Sequence, residues 1–404
     1  MADNASTAQV VNSTVAKNRA NVPIALIAVA AVLAAVGIAF WVLQNVNGLG
    51  ETNMRNYTPW GLGIGCFMLF VGISAGSLIV GVAPSAFGIE GYEGILKPAV
   101  WVSLASGIVA ACFIVFDLGQ PLRVFEMLVS GNIASPLMWD MIALVVYFAL
   151  EIVLFVALVR GGAAHGTLVR GLSIAAIVAA VALQLVEALI FSAYSSHAYW
   201  HTALMGPWFV SSALLSGSAL IAAVAYAFRA LNIIAIDSKK LSRLVQIIGV
   251  FALVDLFMLL ADLVTAAYPG GSDSQVVGLL IQGPIAPFFW MQVVCYVAVA
   301  VMAFAPSLRA KQPAVMCGAI LALVGVLCKR MQLLLGGFQV PNFSEADLLT
   351  QYALPNWSNG MLQAYGSLVY LPSASEVIFA IGTIGIGLLV FFVGMRFVDL
   401  GNQG

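Results

Sequence analysis

Charge is what this sequence has least of. Lysine, arginine, aspartate and glutamate make up 8% of its 404 residues, against 62% hydrophobic. So little charge excludes a soluble domain of this length and leaves a polytopic membrane protein. A net charge of −1 offers nothing to a nucleic-acid backbone. Histidine is scarcer still, at three. His165 falls in one connecting segment and His197 and His201 in another, so no two imidazoles face each other from within helices as a membrane b-type haem requires. The four-residue spacing of His197 and His201 lacks a third ligand nearby, so no metal site is read. The five cysteines (Cys66, Cys112, Cys295, Cys317, Cys328) lie apart in apolar runs with no C-x-x-C pair. That excludes a disulfide framework and an iron–sulfur cluster in this chain. They read as packing residues, and no nucleotide-binding motif is present.

What the chain does have is apolar length. Runs able to span a bilayer fall at about 23–43, 61–82, 97–117, 138–158, 171–194, 209–231, 243–268, 287–305, 314–335 and 376–397. In lipid each must satisfy its own backbone, so each is a helix. The first run follows Lys17 and Arg19 as a signal peptide's would, but it is a full span long and no small-x-small cleavage site follows it. The fold class is therefore an all-α polytopic membrane protein with ten transmembrane helices. With the N-terminus inside, twelve of the sixteen basic residues fall on the inner side, leaving Arg55, Arg123, Lys329 and Arg330. This bias predicts both termini in the cytoplasm and the segment Phe116 to Asp140 outside.

An internal repeat divides the chain. GISAGSLI (Gly72 to Ile79) in the second run aligns with LLSGSALI (Leu214 to Ile221) in the sixth, Gly76 on Gly217, and both runs cross in the same direction. Runs 2–5 and 6–9 thus read as two four-helix bundles in parallel repeat, flanked by one helix at each end. Small residues at that register let helices approach closely. The expected divisions are a cytoplasmic tail over 1–22, a flanking helix at 23–43, a first bundle over 59–194 and a second over 207–336. An extracytoplasmic loop over 337–374, suited to a cap or docking surface, and a last helix at 376–397 complete the chain.

The most polar interlude is FDLGQPLRVFEMLVSGNIASPLMWD, Phe116 to Asp140. Asp117 ends one run, Gly119 and Pro121 break the helix, and a short amphipathic piece carries Arg123 and Glu126. A second break launches the next run with Asp140 already inside it. A charge at the bilayer centre costs about 2.5–3.5 kcal/mol on insertion scales, so embedded acids need a reason. Asp140, Tyr147 and Glu151 are spaced 7 and 11 apart, and at 100° per residue they fall within about 20° of one stripe. The fifth run adds Gln184 and Glu187. Together these line an outward-opening pocket, or else are structural acids bonded to backbone and hydroxyls. Asp255 and Asp262 share a face of the seventh run, and the ninth carries Lys329 and Arg330. Asp262 and Lys329 each lie six residues from the end of their apolar runs, which predicts an ion pair between Asp262 and Lys329 or Arg330. The alternative is a proton path along Glu151, Glu187, Asp255 and Asp262. His201, at the interface, is a candidate proton carrier. A polar pocket in an apolar bundle suits an amphiphile that exchanges protons, and quinol fits, its electrons leaving through another protein.

Four blocks carry a resemblance: Thr58 to Ile79, FDLGQPLRVF with ASPLMWD, Tyr199 to Ile221, and CKRMQLLLGGFQVP (Cys328 to Pro341). The D-L-G-x-P-x-R block followed by S-P-x-x-W is the most specific. In these the protein resembles the polysulfide reductase membrane-subunit family, also called NrfD-like, in its ten-helix branch. The resemblance implies a haem-free quinol-binding anchor of a complex for anaerobic respiration in a prokaryotic cytoplasmic membrane. Electrons would pass between menaquinol or ubiquinol and an extracytoplasmic iron–sulfur protein bearing several 4Fe-4S clusters. A molybdopterin catalytic subunit or a multihaem cytochrome would complete the complex, with membrane lipid around the anchor. The quinone site is expected in the first bundle near the extracytoplasmic face. Asp117 and Asp140 match the family's acids and are the candidate catalytic residues. Tyr147, Arg123, Glu187, Gly119, Pro121 and His201 are the candidate quinone contacts. Where some members carry asparagine and histidine early in the second helix, this protein has Ile64 and Phe67, which bond no quinone oxygen. The rival reading is a secondary transporter, or a proton-translocating module without a redox role, built on the same repeat. Against it, the runs lack mid-span breaks and the acids gather near one face.

Overall fold

The computed structural model describes residues 22–54, 58–194, 197, 199–268, 270, 272–339 and 370–400. Ten of its helices are long and apolar enough to cross a membrane. They are α1 (Ile24–Asn47), α2 (Leu62–Phe87), α3 (Glu93–Asp117), α4 (Pro136–Val159), α5 (Thr167–Ser192), α6 (Met205–Ala230), α7 (Ser238–Ala267), α8 (Ala286–Phe304), α9 (Gln312–Gln339) and α10 (Ala374–Phe397). Several extend a turn beyond their apolar runs. Hydropathy marks only the hydrocarbon-facing part, whereas a helix continues for as long as its end groups find partners. In α7, Asp237 caps the helix by accepting from Lys239 N at 3.4 Å, so Lys239 and Lys240 are helical although they precede the apolar run. Residues 1–21 of the expected tail and 340–369 of the expected loop lie outside the described residues.

α2, α3, α4 and α5 pack in a ring, each on the next and α5 back on α2, and α6, α7, α8 and α9 do the same. The rings meet chiefly where α2 crosses α6. At that crossing a Cβ on Gly76 would lie 1.8 Å from the Ala213 carbonyl oxygen, and one on Gly217 2.2 Å from the backbone of Gly76. Backbone cannot move aside as flexible side groups do. Gly76→Ala is therefore expected to cut the yield of monodisperse protein severely. Gly72→Ala, one turn away with 3.6 Å to its nearest neighbour, should leave it unchanged, and equal yields would show that the crossing is not tight.

The flanking helices sit together rather than on opposite sides. Gly37 of α1 packs on Gly382 of α10, and α10 lies against α3, where Trp101 Nε1 donates to Phe391 O at 3.2 Å. Beyond α10, α1 stacks Trp41 on Phe116 with ring centroids 4.6 Å apart. Ten crossings put residues 22 and 400 at one face, and Val22 and Leu400 share a buried cluster there. The segments after Asp117, Ser192 and Ala267 lie at the opposite face, called here the Asp117 end.

Candidate functional site

The buried residues of α4 are Asp140, Tyr147, Glu151, Leu154 and Leu158, a single stripe facing the ring, while its other residues are half-buried or exposed. Its helical spacing alone brings the three polar side chains inside. Tyr147 is fully buried and closes a hydroxyl ring. Its Oη lies 2.9 Å from Ser74 Oγ and 2.9 Å from Ser103 Oγ, which are 3.1 Å apart. Ser103 donates to the Ser74 carbonyl at 2.8 Å, so the two remaining hydroxyl protons are used within the ring. Gly107 makes room beside it, since a Cβ there would lie 2.1 Å from Phe148 Cε1. Glu151, one turn below, has neither carboxyl oxygen in a hydrogen bond. Ser103 is the hydroxyl beside it, but its proton goes to the Ser74 carbonyl.

Asp140 and Glu187 form the second feature. Asp140 is four residues into α4 and Glu187 five from the end of α5, so at 1.5 Å per residue both lie about 6–8 Å below the Asp117 end of their helices. Glu187 Oε2 accepts from Gln184 Nε2 at 3.0 Å, and the carboxyl interacts electrostatically with Asp140 and with Arg330. Asp140 Oδ1, Glu187 Oε1 and Gln184 Oε1 are buried with no hydrogen-bond partner among the described residues. Buried oxygens of this kind ordinarily find partners. Here two carboxyl groups offer unused acceptor capacity to one place in an apolar wall.

The rest of the polar interlude is arranged otherwise. Asp117 ends α3 against the first turn of α2, where a Cβ on Gly63 would lie 2.4 Å from its Oδ1. Its further electrostatic partner is Glu376 at the start of α10. Tyr370 accepts from Leu62 N at 2.8 Å and donates to Glu376, so Asp117 belongs to the junction of α2, α3 and α10. Gly119 is exposed and Pro121 half-buried, opening the short helix Pro121–Phe125. Arg123 faces solvent or headgroups, its side chain 68% exposed and 3.9 Å from Glu126. The interior brings Asp140 and Glu187 to one depth on the α4 and α5 walls, with Tyr147 two turns deeper on the α4 stripe, whereas Arg123 is turned out at the surface. Leu122, Phe125, Val129 and Ile133 are exposed along the same segment, an apolar edge suited to the membrane interface.

In the second ring the expected pairing is corrected. Lys329 Nζ lies 3.1 Å from Asp255 Oδ2, while Asp262 Oδ1 accepts from Thr202 Oγ1 at 2.9 Å. Depth explains the change. α9 runs to Gln339, four residues past its apolar run, so Lys329 is ten residues from its end and matches Asp255, twelve from the end of α7. Asp262 is only five from that end. Arg330 is fully buried, donates to Ser212 Oγ at 3.1 Å, and sets its guanidinium 3.8 Å from the centre of the Phe209 ring.

The histidines are dispersed. His165 Nε2 is 3.0 Å from Glu93 Oε1 at the far face. His197 Nδ1 is 2.8 Å from Gly337 O, and His201 Nδ1 3.1 Å from Ser192 O. Among the described residues no three His, Cys, Asp or Glu side chains gather as a metal site. Sequence reasoning missed Ser74, inside the GISAGSLI packing motif, and Ser103, which no motif marks. It also missed Gln332, which donates to Tyr199 Oη at 2.7 Å.

Comparison with known proteins agrees with this architecture. Residues 50–342 match the family described as polysulphide reductase, NrfD. A provisionally named dimethyl sulfoxide reductase membrane subunit of Halobacterium salinarum is 31% identical over 396 residues, covering 92% of this chain and 90% of that protein. The Hdr-like menaquinol oxidoreductase integral membrane subunit of Archaeoglobus fulgidus is 26% identical, covering 93% of each. A polysulfide reductase polypeptide of Wolinella succinogenes is 22% identical over 71% of this protein and 97% of its own length. The first two are named as membrane subunits, and all three belong to oxidoreductases. With ten spanning helices and a family match over most of its length, this multi-pass membrane protein belongs to the NrfD polysulphide reductase family.

Proposed function

We propose that the protein is the quinol-binding membrane subunit of a respiratory oxidoreductase in a prokaryotic cytoplasmic membrane. It exchanges electrons between menaquinol or ubiquinol and an iron–sulfur partner docked at the Asp117 end, with a catalytic reductase subunit beyond. One observation carries this reading: Asp140 Oδ1 and Glu187 Oε1 stand unpartnered at one depth, in an apolar wall, within two turns of a membrane face. Oxidising a quinol releases two protons and two electrons. Asp140 takes a hydroxyl proton and returns it to water at the near face, and Glu187, steadied by Gln184, serves the second. Tyr147, locked in its hydroxyl ring, shapes the floor. A relative named as a menaquinol oxidoreductase membrane subunit supports the substrate class.

The protons are proposed to leave at the Asp117 end. Below Glu151 the buried stripe of α4 continues only as Leu154 and Leu158, which offers no onward relay on that helix. The unbroken helices α2 to α9 likewise favour a redox anchor over a transporter, whose binding sites use helices broken at the midplane. Purification with partners attached, followed by quinone extraction and an iron count, tests the function. Finding quinone and several irons per complex is the expected result. A preparation that carries neither, and supports no quinol-dependent reduction, overturns it.

Orientation follows from the basic residues. Arg160, Arg170, Arg229, Lys240 and Arg309 lie at the face of residues 22 and 400, which is proposed as cytoplasmic. A reporter fused after Gly404 should read inside and one inserted between 340 and 369 outside. The opposite result would move the acids to the cytoplasmic face.

A further inference from the structure

At the Asp117 end of the second ring, Tyr199 and residues 201–204, which precede α6, form a mouth with α7. A cavity of about 280 Å³ opens there, with His201, Thr202, Asp262 and Thr265 in its wall and Tyr199 at its base. His201 and Thr265 are exposed, Asp262 is half-buried and Tyr199 is buried. A much smaller cavity of about 10 Å³ is also lined by Tyr199, with Trp208, Lys329, Arg330 and Leu333; it has room for about one water. Tyr199 borders both.

The position of that ring is built. A Cβ on Gly336 would lie 2.6 Å from Tyr199 Cδ1, and Gln332 Nε2 donates to its hydroxyl at 2.7 Å. Burial pushes the phenol well above its ordinary value, so it stays a neutral hydroxyl with a proton of its own to donate. Beyond it Lys329 Nζ donates to Asp255 Oδ2 at 3.1 Å and to Trp208 O at 3.3 Å. Trp208 Nε1, Asp255 Oδ1, and Arg330 Nε and Nη1 are buried without a hydrogen-bond partner among the described residues.

We propose that the mouth of the second ring is a water-filled vestibule, that Tyr199 is the partition between its water and the buried Lys329–Asp255 pair, and that Asp262 is the proton-exchanging carboxyl in its wall. The ligand class is water and the hydrated proton. Thr202 donates to Asp262 Oδ1, Thr265 to Ala261 O, and His201 Nδ1 is paired with Ser192 O, which leaves Asp262 Oδ2 and His201 Nε2 for water, and a lipid tail there would desolvate both. In the exchange, a hydronium gives its proton to the Asp262 carboxylate and becomes water, and the reverse step restores both; nothing is oxidised. The groups facing Asp262 are Thr202, which donates to it, His201 across the cavity, and Tyr199 and Lys329 within electrostatic reach. This inference does not depend on the quinol reading.

The test uses the full-length protein in proteoliposomes, with a membrane-impermeant methanethiosulfonate added at the Asp117 end and labelling read per peptide by mass spectrometry. Thr265→Cys, in the vestibule wall, is expected to react at least about tenfold faster than Leu333→Cys, which sits behind Tyr199 and reacts only when the partition opens. Tyr199→Ala should bring Leu333→Cys up to the rate of Thr265→Cys, and Tyr199→Phe, which keeps the ring, should not. Where Tyr199→Ala fails to assemble, Gly336→Ala displaces the ring instead and should have the same effect. In parallel, an acid jump on that side should raise a protonated-carboxyl infrared band that Asp262→Asn removes. An unreactive Thr265→Cys, a Leu333→Cys that stays slow when the ring is displaced, or an infrared band unchanged by Asp262→Asn each overturns the proposal.

Discussion

Asp140→Asn is expected to slow quinol-dependent reduction of the iron–sulfur partner by about 100-fold, the low end for losing a positioned acid–base group. Asparagine keeps the size of the side chain and its place on the α4 stripe, so assembly should be unaffected and the loss should appear in turnover. The reason lies in the surroundings. Asp140 is 4% exposed with one oxygen unpartnered, close enough to the face to unload a proton and buried enough to receive one from an apolar substrate. Tyr147→Phe supplies the contrast. Its hydroxyl is bonded to Ser74 and Ser103, so its removal should cost about 1 kcal/mol of stability and shift quinol affinity more than rate. The assay is quinol-driven reduction of the partner in assembled complex, normalised to the amount of complex. Full activity in Asp140→Asn would pass the role to Glu187, with Asp117 next to test.

Lys329→Ala should have the largest effect on assembly. It leaves Asp255, which is fully buried, without its cation, and breaking one side of a buried pair costs about 3–5 kcal/mol. The level of folded protein in the membrane should fall accordingly. Replacing both partners by Lys329→Met and Asp255→Leu removes the stranded charge, and such apolar replacements are often neutral for stability. The double variant should therefore recover the protein level. A double variant that folds but has lost turnover would show that the pair takes part in function, whereas one that never recovers would show that the ring needs the charges themselves.

The spans were legible because lipid allows so few backbone solutions, and the α4 stripe because its spacing is helical. The Gly76 and Gly217 alignment likewise pointed to the crossing of α2 and α6. Partners were harder to read. Ser74 and Ser103 bind Tyr147, but Ser216 and Ser218 bond back to their own helix, and nothing in one sequence separates the two kinds. Asp262 was misassigned because depth was measured from the end of an apolar run while α9 continues to Gln339. The setting of Asp117 depends on Glu376, more than 250 positions away, which no local pattern connects to it. Arg123 looked like part of the pocket because it is close to Asp117 in sequence, whereas the short helix it sits on turns it outward.

The place of α1 bears on how the protein is made. It leaves the ribosome before the other described helices, yet its small-residue face, with Ala30, Ala34 and Gly37 buried, meets chiefly α10, which is made after all of them. Until then α1 has little but lipid to rest against, and glycine-mediated contact is the kind of packing that membranes use to join helices already inserted. α10 thus ties α1 to the first ring, and among the described helices that contact is the last pairing to become possible during synthesis.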